Sequence, residues 1–286
     1  MDSGAGHPAV GGSERPGPHN GTGDQTDEVG GLTGSTVVVG WGLAATLLVL
    51  TAVASAMTLI GGLGVRVGRG VVTAAGRAVV QLAVVSAVIV AVVRSLWLSA
   101  GFVLFMLVVA AVTSARRMTD DRSGLLAIVP IAGGAAVVLA IVLAAGVVPL
   151  TGIAVVPIAG IVLGGSMTAT SLAGRRALDE LDTRRGELEA ALALGVRERY
   201  AARFVTRPSA AQALTPAMDQ TRTVGLVTLP GAFVGVLLGS GDPVQAAAAQ
   251  VLVLIGLLAA EGIAVVVTVE LVARDRIRRG DPTGAR

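Results

Sequence analysis

Apolar residues run along this chain in long blocks, and few of them alternate with polar positions at helical spacing. The blocks fall at residues 37–60, 71–93, 97–113, 125–148, 153–172, 216–238 and 246–271. A block of about 20 residues at about 1.5 Å per residue matches a hydrocarbon core of about 30 Å. The pattern predicts an all-α polytopic membrane protein with about seven transmembrane helices. Residues 36–273 are expected to form its transmembrane domain. Residues 1–35, rich in Gly, Pro, Ser, Asp and Glu, are expected to be a disordered polar tail, because they bury too little apolar area to order themselves. Residues 274–286 form a short basic tail.

Charge placement gives the spans a direction. Arg66 and Arg69 lie between spans one and two, Arg116, Arg117 and Arg122 between three and four, eight arginines (175–207) between five and six, and five more after span seven. The alternate connections hold only Arg94, and the N-terminal tail only Arg15. Basic residues concentrate on the cytoplasmic side of membrane proteins. The expected topology is therefore multi-pass in the plasma membrane, N-terminus outside and C-terminus cytoplasmic.

Composition excludes several chemistries. The chain is 53% hydrophobic and 14% charged. It has no cysteine, and both histidines, His7 and His19, lie in the N-terminal tail. Thiolate chemistry and a membrane-embedded imidazole site are thereby excluded. The basic excess is explained by arginines at membrane ends, so no nucleic-acid partner is expected. The chain lacks a G-x-x-x-x-G-K-[ST] phosphate loop and is not expected to be an enzyme. No bound cofactor is expected.

The most polar internal stretch, residues 174–212, holds the sequence GELEAALALGVRERYAARF at 186–204. Alanine and leucine favour helix over ELEAALAL. Gly195 is expected to end that helix or bend it sharply, and a second short helix, RERYAARFV, is expected to run to Pro208. Glu189, Ala190, Ala191 and Gly195 form E-A-A-x-x-x-G, which resembles the EAA loop of ABC transporter permeases. Arg207-Pro208 stands where many such loops carry Leu-Pro. With the flanking runs IAGIVLGGSMTATSLAGRR (158–176) and ALTPAMDQTRTVGLVTLPGAFVGVLLGSGDPVQAAAAQ (213–250), the chain is similar to the iron-export-type, FetB-like ABC permease family, which includes plant aluminium-tolerance relatives. The resemblance implies a homodimeric permease in the lipid bilayer that exports iron or a related metal species. A separate ABC ATPase subunit would bind ATP and Mg, and Glu189, Ala190, Ala191, Gly195 and Phe204 would contact it. The alternative from another class is an ATPase-independent secondary transporter or channel.

Polar residues inside spans ask for a partner or a pathway. The candidates for the substrate path are Arg77, Gln81, Met167, Thr168, Thr170, Ser171, Gln220, Thr221 and Glu261. Arg77 and Gln81, four residues apart, read first as a structural hydrogen-bonded pair. Glu261 reads equally as an arginine partner or as part of a cation path. No metal ligand set is identifiable. A metal cargo would meet oxygen ligands, with Met167 or Met218 as soft ones.

Overall fold

The computed structural model describes residues 41–62 and 64–279. The predicted N-terminal tail and the last residues of the basic tail lie outside them. All regular structure among the described residues is helical, apart from one isolated bridge between Val224 and Thr228. The protein is a polytopic all-α membrane protein. Six helices among the described residues are long and apolar enough to cross a membrane.

The chain divides into two compact units, up to Leu82 and from Ala83. The first contains α1 (Trp41–Ile60) and the start of α2 (Val65–Val93). The connection turns at Gly62, φ +72°. Ser55 Oγ on α1 donates to the Gly68 carbonyl on α2 at 3.4 Å.

The second unit is built on α5 (Gly152–Thr183) and α10 (Pro243–Ala273), which pack against each other; α3 (Leu96–Met118) lies on α5, and α4 (Ile128–Ala144) touches both. Ile131, Val138, Val162, Leu163 and Ala260 are buried where these helices meet. Small residues on α5, among them Ala159, Ala169, Ala173 and Ala177, are fully or almost fully buried. Such side chains let helix backbones approach closely, the packing mode favoured where lipid removes the hydrophobic drive between helices.

Two expectations about element bounds need correction. Span five and the charged segment after it are one helix of 32 residues, about 48 Å long. The predicted sixth span, 216–238, is not one helix. It is divided into α8 (Thr215–Thr223) and a ten-residue apolar α9 (Gly231–Ser240). The break contains Gly225, at φ +80°, whose N–H bonds the Thr228 carbonyl at 2.9 Å, and Pro230, which has no N–H to continue a helix. The amide of Phe233, orphaned at the new helix start, donates to the buried Gln250 side chain on α10 at 3.1 Å. Asp242 caps α10, its carboxylate accepting from Val244 and Gln245 N–H at 2.8 and 3.3 Å.

Beyond α10 the chain reverses at Asp275, φ +53°. The following strap buries Ile277 in the core. Thr119 Oγ1 donates to the Arg278 carbonyl at 2.9 Å, and Arg279 pairs with Asp179 and, at 2.7 Å, with Asp182 on α5. The arginine-rich ends of α3, α5 and α10 are thus tied together.

Candidate functional site

The polar stretch forms a helix, a corner and a helix. α6 spans Arg185–Ala193 and α7 spans Glu198–Ala211. Gly195 adopts φ +83°, Val196 N–H bonds the Ala191 carbonyl at 3.1 Å, and Gly195 N–H bonds the Leu192 carbonyl at 2.9 Å. This paired closure satisfies two carbonyls at the end of α6 and requires a left-handed residue at the corner, which glycine enters without steric cost. The second helix was expected to stop at Pro208; it continues through Pro208 to Ala211. Proline removes one hydrogen bond of the ladder. The face formed by Ala201, Ala202, Val205, Thr206 and Ala210 stays buried on both sides of it, and α7 packs against α5 and α10.

The two helices are anchored unequally. No residue of α6 is buried. At the joint with α5, Arg184 pairs with Glu180 at 3.4 Å and with Glu187, and donates to the Val205 carbonyl on α7 at 3.3 Å. The hydrogen bond from Arg184 holds the Glu187 carboxyl below the usual carboxylate range. α7 is seated on the bundle and pinned by charge: Arg199 and Arg203 reach Glu270 on α10 at 2.5 and 3.4 Å, and Arg274 reaches the same carboxylate at 2.5 Å.

Of the residues expected at this site, Glu189 is exposed and pairs with Arg185 at 2.9 Å, Ala190 is exposed, Ala191 is half-buried, Gly195 makes the corner, and Phe204 is 73% exposed. The structure adds Leu194, 84% exposed, together with exposed Val196 and Tyr200. Sequence reading missed these three. Their signal is apolar side chains flanking the corner glycine and a Tyr200–Phe204 pair one turn apart, opposite the alanine face of α7.

The expected pathway residues fall in different places. Arg77 and Gln81 are exposed on α2, and no hydrogen bond joins them among the described residues. On α5, Met167 packs against the core, Thr168 is exposed and donates to the Gly164 carbonyl at 3.0 Å, and Ser171 lies 3.0 Å from Ser114 Oγ on α3. Thr170 and Ser166 are fully buried, and neither hydroxyl has a hydrogen-bond partner among the described residues. Ser166 belongs to the same hydroxyl-bearing run but was not among the expected pathway residues. Glu261 on α10 is buried beside Gly165 of α5, and no ion pair among the described residues reaches it. Gln220 and Thr221 are on α8, away from any shared bond with Thr170 or Glu261; Thr221 donates to the Ala217 carbonyl at 2.8 Å. Among the described residues no three His, Cys, Asp or Glu side chains converge as a metal ligand set. A cavity of about 460 Å³ between α3, α4 and α5 is walled by residues such as Leu104, Leu107, Leu139 and Leu150 and contains none of the expected pathway residues.

Residues 40–277 match UPF0014, described as an uncharacterised protein family. The chain belongs to the UPF0014 family. It is similar to the UPF0014 membrane protein STAR2 of Oryza sativa subsp. japonica, 33% identical over 202 residues that cover 69% of this chain and 70% of the rice protein. The "Probable iron export permease protein FetB" of Escherichia coli (strain K12) is 29% identical, covering 70% of this chain and 78% of its own length. The protein ALUMINUM SENSITIVE 3 of Arabidopsis thaliana is 32% identical over 53% of this chain and 56% of its own. No solved structure matches the chain.

Proposed function

We propose that this protein is the transmembrane permease subunit of an ABC transporter, working as a homodimer in the plasma membrane and driven by a separate ATPase subunit that binds ATP and Mg. The observation that carries this is the α6–α7 corner. It puts Leu194, Val196, Tyr200 and Phe204 in the open on a frame seated against α5 and α10. Exposed aromatic and aliphatic side chains beside small alanines suit a close protein contact. Among the described residues Glu189 is held by one exposed pair, with Arg185, an interaction weak enough to exchange for another partner. The arginine-rich helix ends support a cytoplasmic position for this corner, where ATP is available.

The cargo is a metal species, iron by likeness to the permease whose name includes iron export. Its route runs past the hydroxyls of Ser166 and Thr170, unpartnered among the described residues, and the Glu261 carboxylate, with Met167, Thr168, Ser171, Gln220 and Thr221 as further contacts along the cycle. Hard oxygen donors without a converging ligand set suit transient passage more than tight binding.

The divided α8–α9 segment favours a second reading, an ATPase-independent secondary transporter, because interrupted helices also line such transport sites. Co-purification separates the two. The unaltered chain should retain an ABC ATPase, and Ala191→Arg or Gly195→Val should lose it while staying at normal membrane level. Metal transport that persists in cells lacking that ATPase would overturn the ABC assignment.

A further inference from the structure

We infer that Glu270 is a positioning residue that joins α7 to α10, so that a displacement of the α6–α7 corner is delivered to the helix carrying Glu261; this rests on the corner being the ATPase dock. α6 has no buried residue, so it can rock on its joints without disturbing the bundle. α7 meets the bundle chiefly through alanines, and a face of small side chains offers few ridges to resist sliding or rotation. What pins it is charge. Arg199 and Arg203 stand one turn apart and converge on opposite oxygens of the Glu270 carboxylate, at 2.5 Å on Oε1 and 3.4 Å on Oε2. Two attachment points on one helix face oppose rotation as well as translation. Arg274, one turn further along α10, shares Oε1 at 2.5 Å.

Three guanidinium groups around one carboxylate leave an excess of positive charge. Without Glu270, Arg199 and Arg203 would repel Arg274 and the pin between α7 and α10 would be lost. The groups are partly solvent-exposed, so salt screens their attraction, and the value of the arrangement lies in fixing geometry more than in stability. Nine residues separate Glu270 from Glu261 on the same uninterrupted helix, about 14 Å along its axis. A rigid helix of that length transmits a tilt or a turn directly. α10 therefore connects the corner to the buried carboxylate and to the contact with Gly165.

The chain contains no cysteine, so two can be introduced for spin labels without altering others. Labels at exposed Val244 on α10 and Trp97 on α3, in the full chain bound to its ATPase, report movement of α10 when the complex is trapped with a non-hydrolysable ATP analogue. The unaltered clamp should show a shift between two distance populations. Glu270→Gln should still co-purify with the ATPase but reduce the nucleotide-dependent population ratio by at least about fivefold, the low end of coupling between sites. Arg203→Gln, with Glu270 intact, should weaken it in the same direction and covers the case in which Glu270→Gln does not fold. Exchanging the charges across the joint, Glu270→Arg with Arg199→Glu and Arg203→Glu and Arg274 left in place, should restore the shift, which a loss of fold would not allow. A Glu270→Gln variant that binds the ATPase and keeps the full shift would overturn this assignment alone. A parent chain that binds no ATPase would overturn the ABC assignment and this one with it.

Discussion

Gly165 on α5 lies directly against Glu261 on α10: a Cβ at residue 165 would sit 2.6 Å from Glu261 Oε1 and would overlap Leu257. The absence of a side chain at 165 creates the notch that admits a carboxylate between two packed helices. Gly165→Ala must displace the ends of the Leu257 and Glu261 side chains, and overpacking of this kind costs about 1–3 kcal/mol. The melting temperature of the purified protein in detergent should fall. Glu261→Gln keeps the size of the side chain and should leave that temperature near normal while lowering metal transport. Unchanged transport in Glu261→Gln would remove the carboxylate from the cargo route.

Leu194 and Phe204 are open to solvent, so Leu194→Glu and Phe204→Glu should change stability by no more than about 0.5 kcal/mol. If the corner docks an ATPase, each should weaken association by more than about 1 kcal/mol, or roughly fivefold in affinity. Titration of the detergent-purified permease with the ATPase measures it. Binding unaffected by both changes would move the contact elsewhere.

Ser114 and Ser171 share a hydrogen bond of 3.0 Å between α3 and α5, and both are buried. Ser171 Oγ also lies 2.7 Å from the Met167 carbonyl, so its own proton stays satisfied when the partner is removed. Ser114→Ala should therefore cost only about 0.6–1 kcal/mol, the usual scale of one interhelical hydrogen bond. Thermal unfolding in detergent should register a small shift and no loss of insertion.

Acid should loosen the joint between α5 and α6. The hydrogen bond from Arg184 lowers the Glu187 pKa in the folded protein. A carboxyl whose folded value lies below its unfolded one contributes stability above the unfolded value and loses it as pH falls through the folded value. Hydrogen exchange of the amides of residues 188–193 should accordingly rise, relative to the rest of the chain, only on acidification into and below the carboxylate range. Glu187→Gln should show the faster exchange already at neutral pH and lose that acid dependence.

A reporter active only in the cytoplasm should work when fused after Arg279 and stay silent when fused at Asp242. Those positions lie at opposite ends of α10, one among arginines and one in a turn that has none. Activity at Asp242 would reverse the proposed orientation.

The membrane-spanning elements were legible because each depends on a run of local apolar residues long enough to satisfy its own backbone in lipid. The corner at Gly195 was legible for a related reason, since helix-forming residues on either side of a glycine define it within a dozen positions. The division of 216–238 was signalled by Pro230-Gly231, but the rescue of the Phe233 amide by Gln250 involves a partner 17 residues away on another helix. Arg77 and Gln81 show the converse: helical spacing puts them on one face, yet no bond joins them among the described residues.

By itself, the amino-acid order determined the helical class, six of the apolar spans, the clustering of arginines at alternate connections and the helix–glycine–helix corner, because these follow from hydropathy, charge and backbone freedom within short windows. Tertiary structure alone decided which side of α7 is buried and which is free, the convergence of Arg199 and Arg203 on Glu270, the notch at Gly165 that receives Glu261, and the isolation of the Ser166 and Thr170 hydroxyls. Each of these is a contact or a burial between elements distant in sequence. Its geometry depends on how closely helices lined with alanine and glycine approach one another, and that is set only when the bundle assembles.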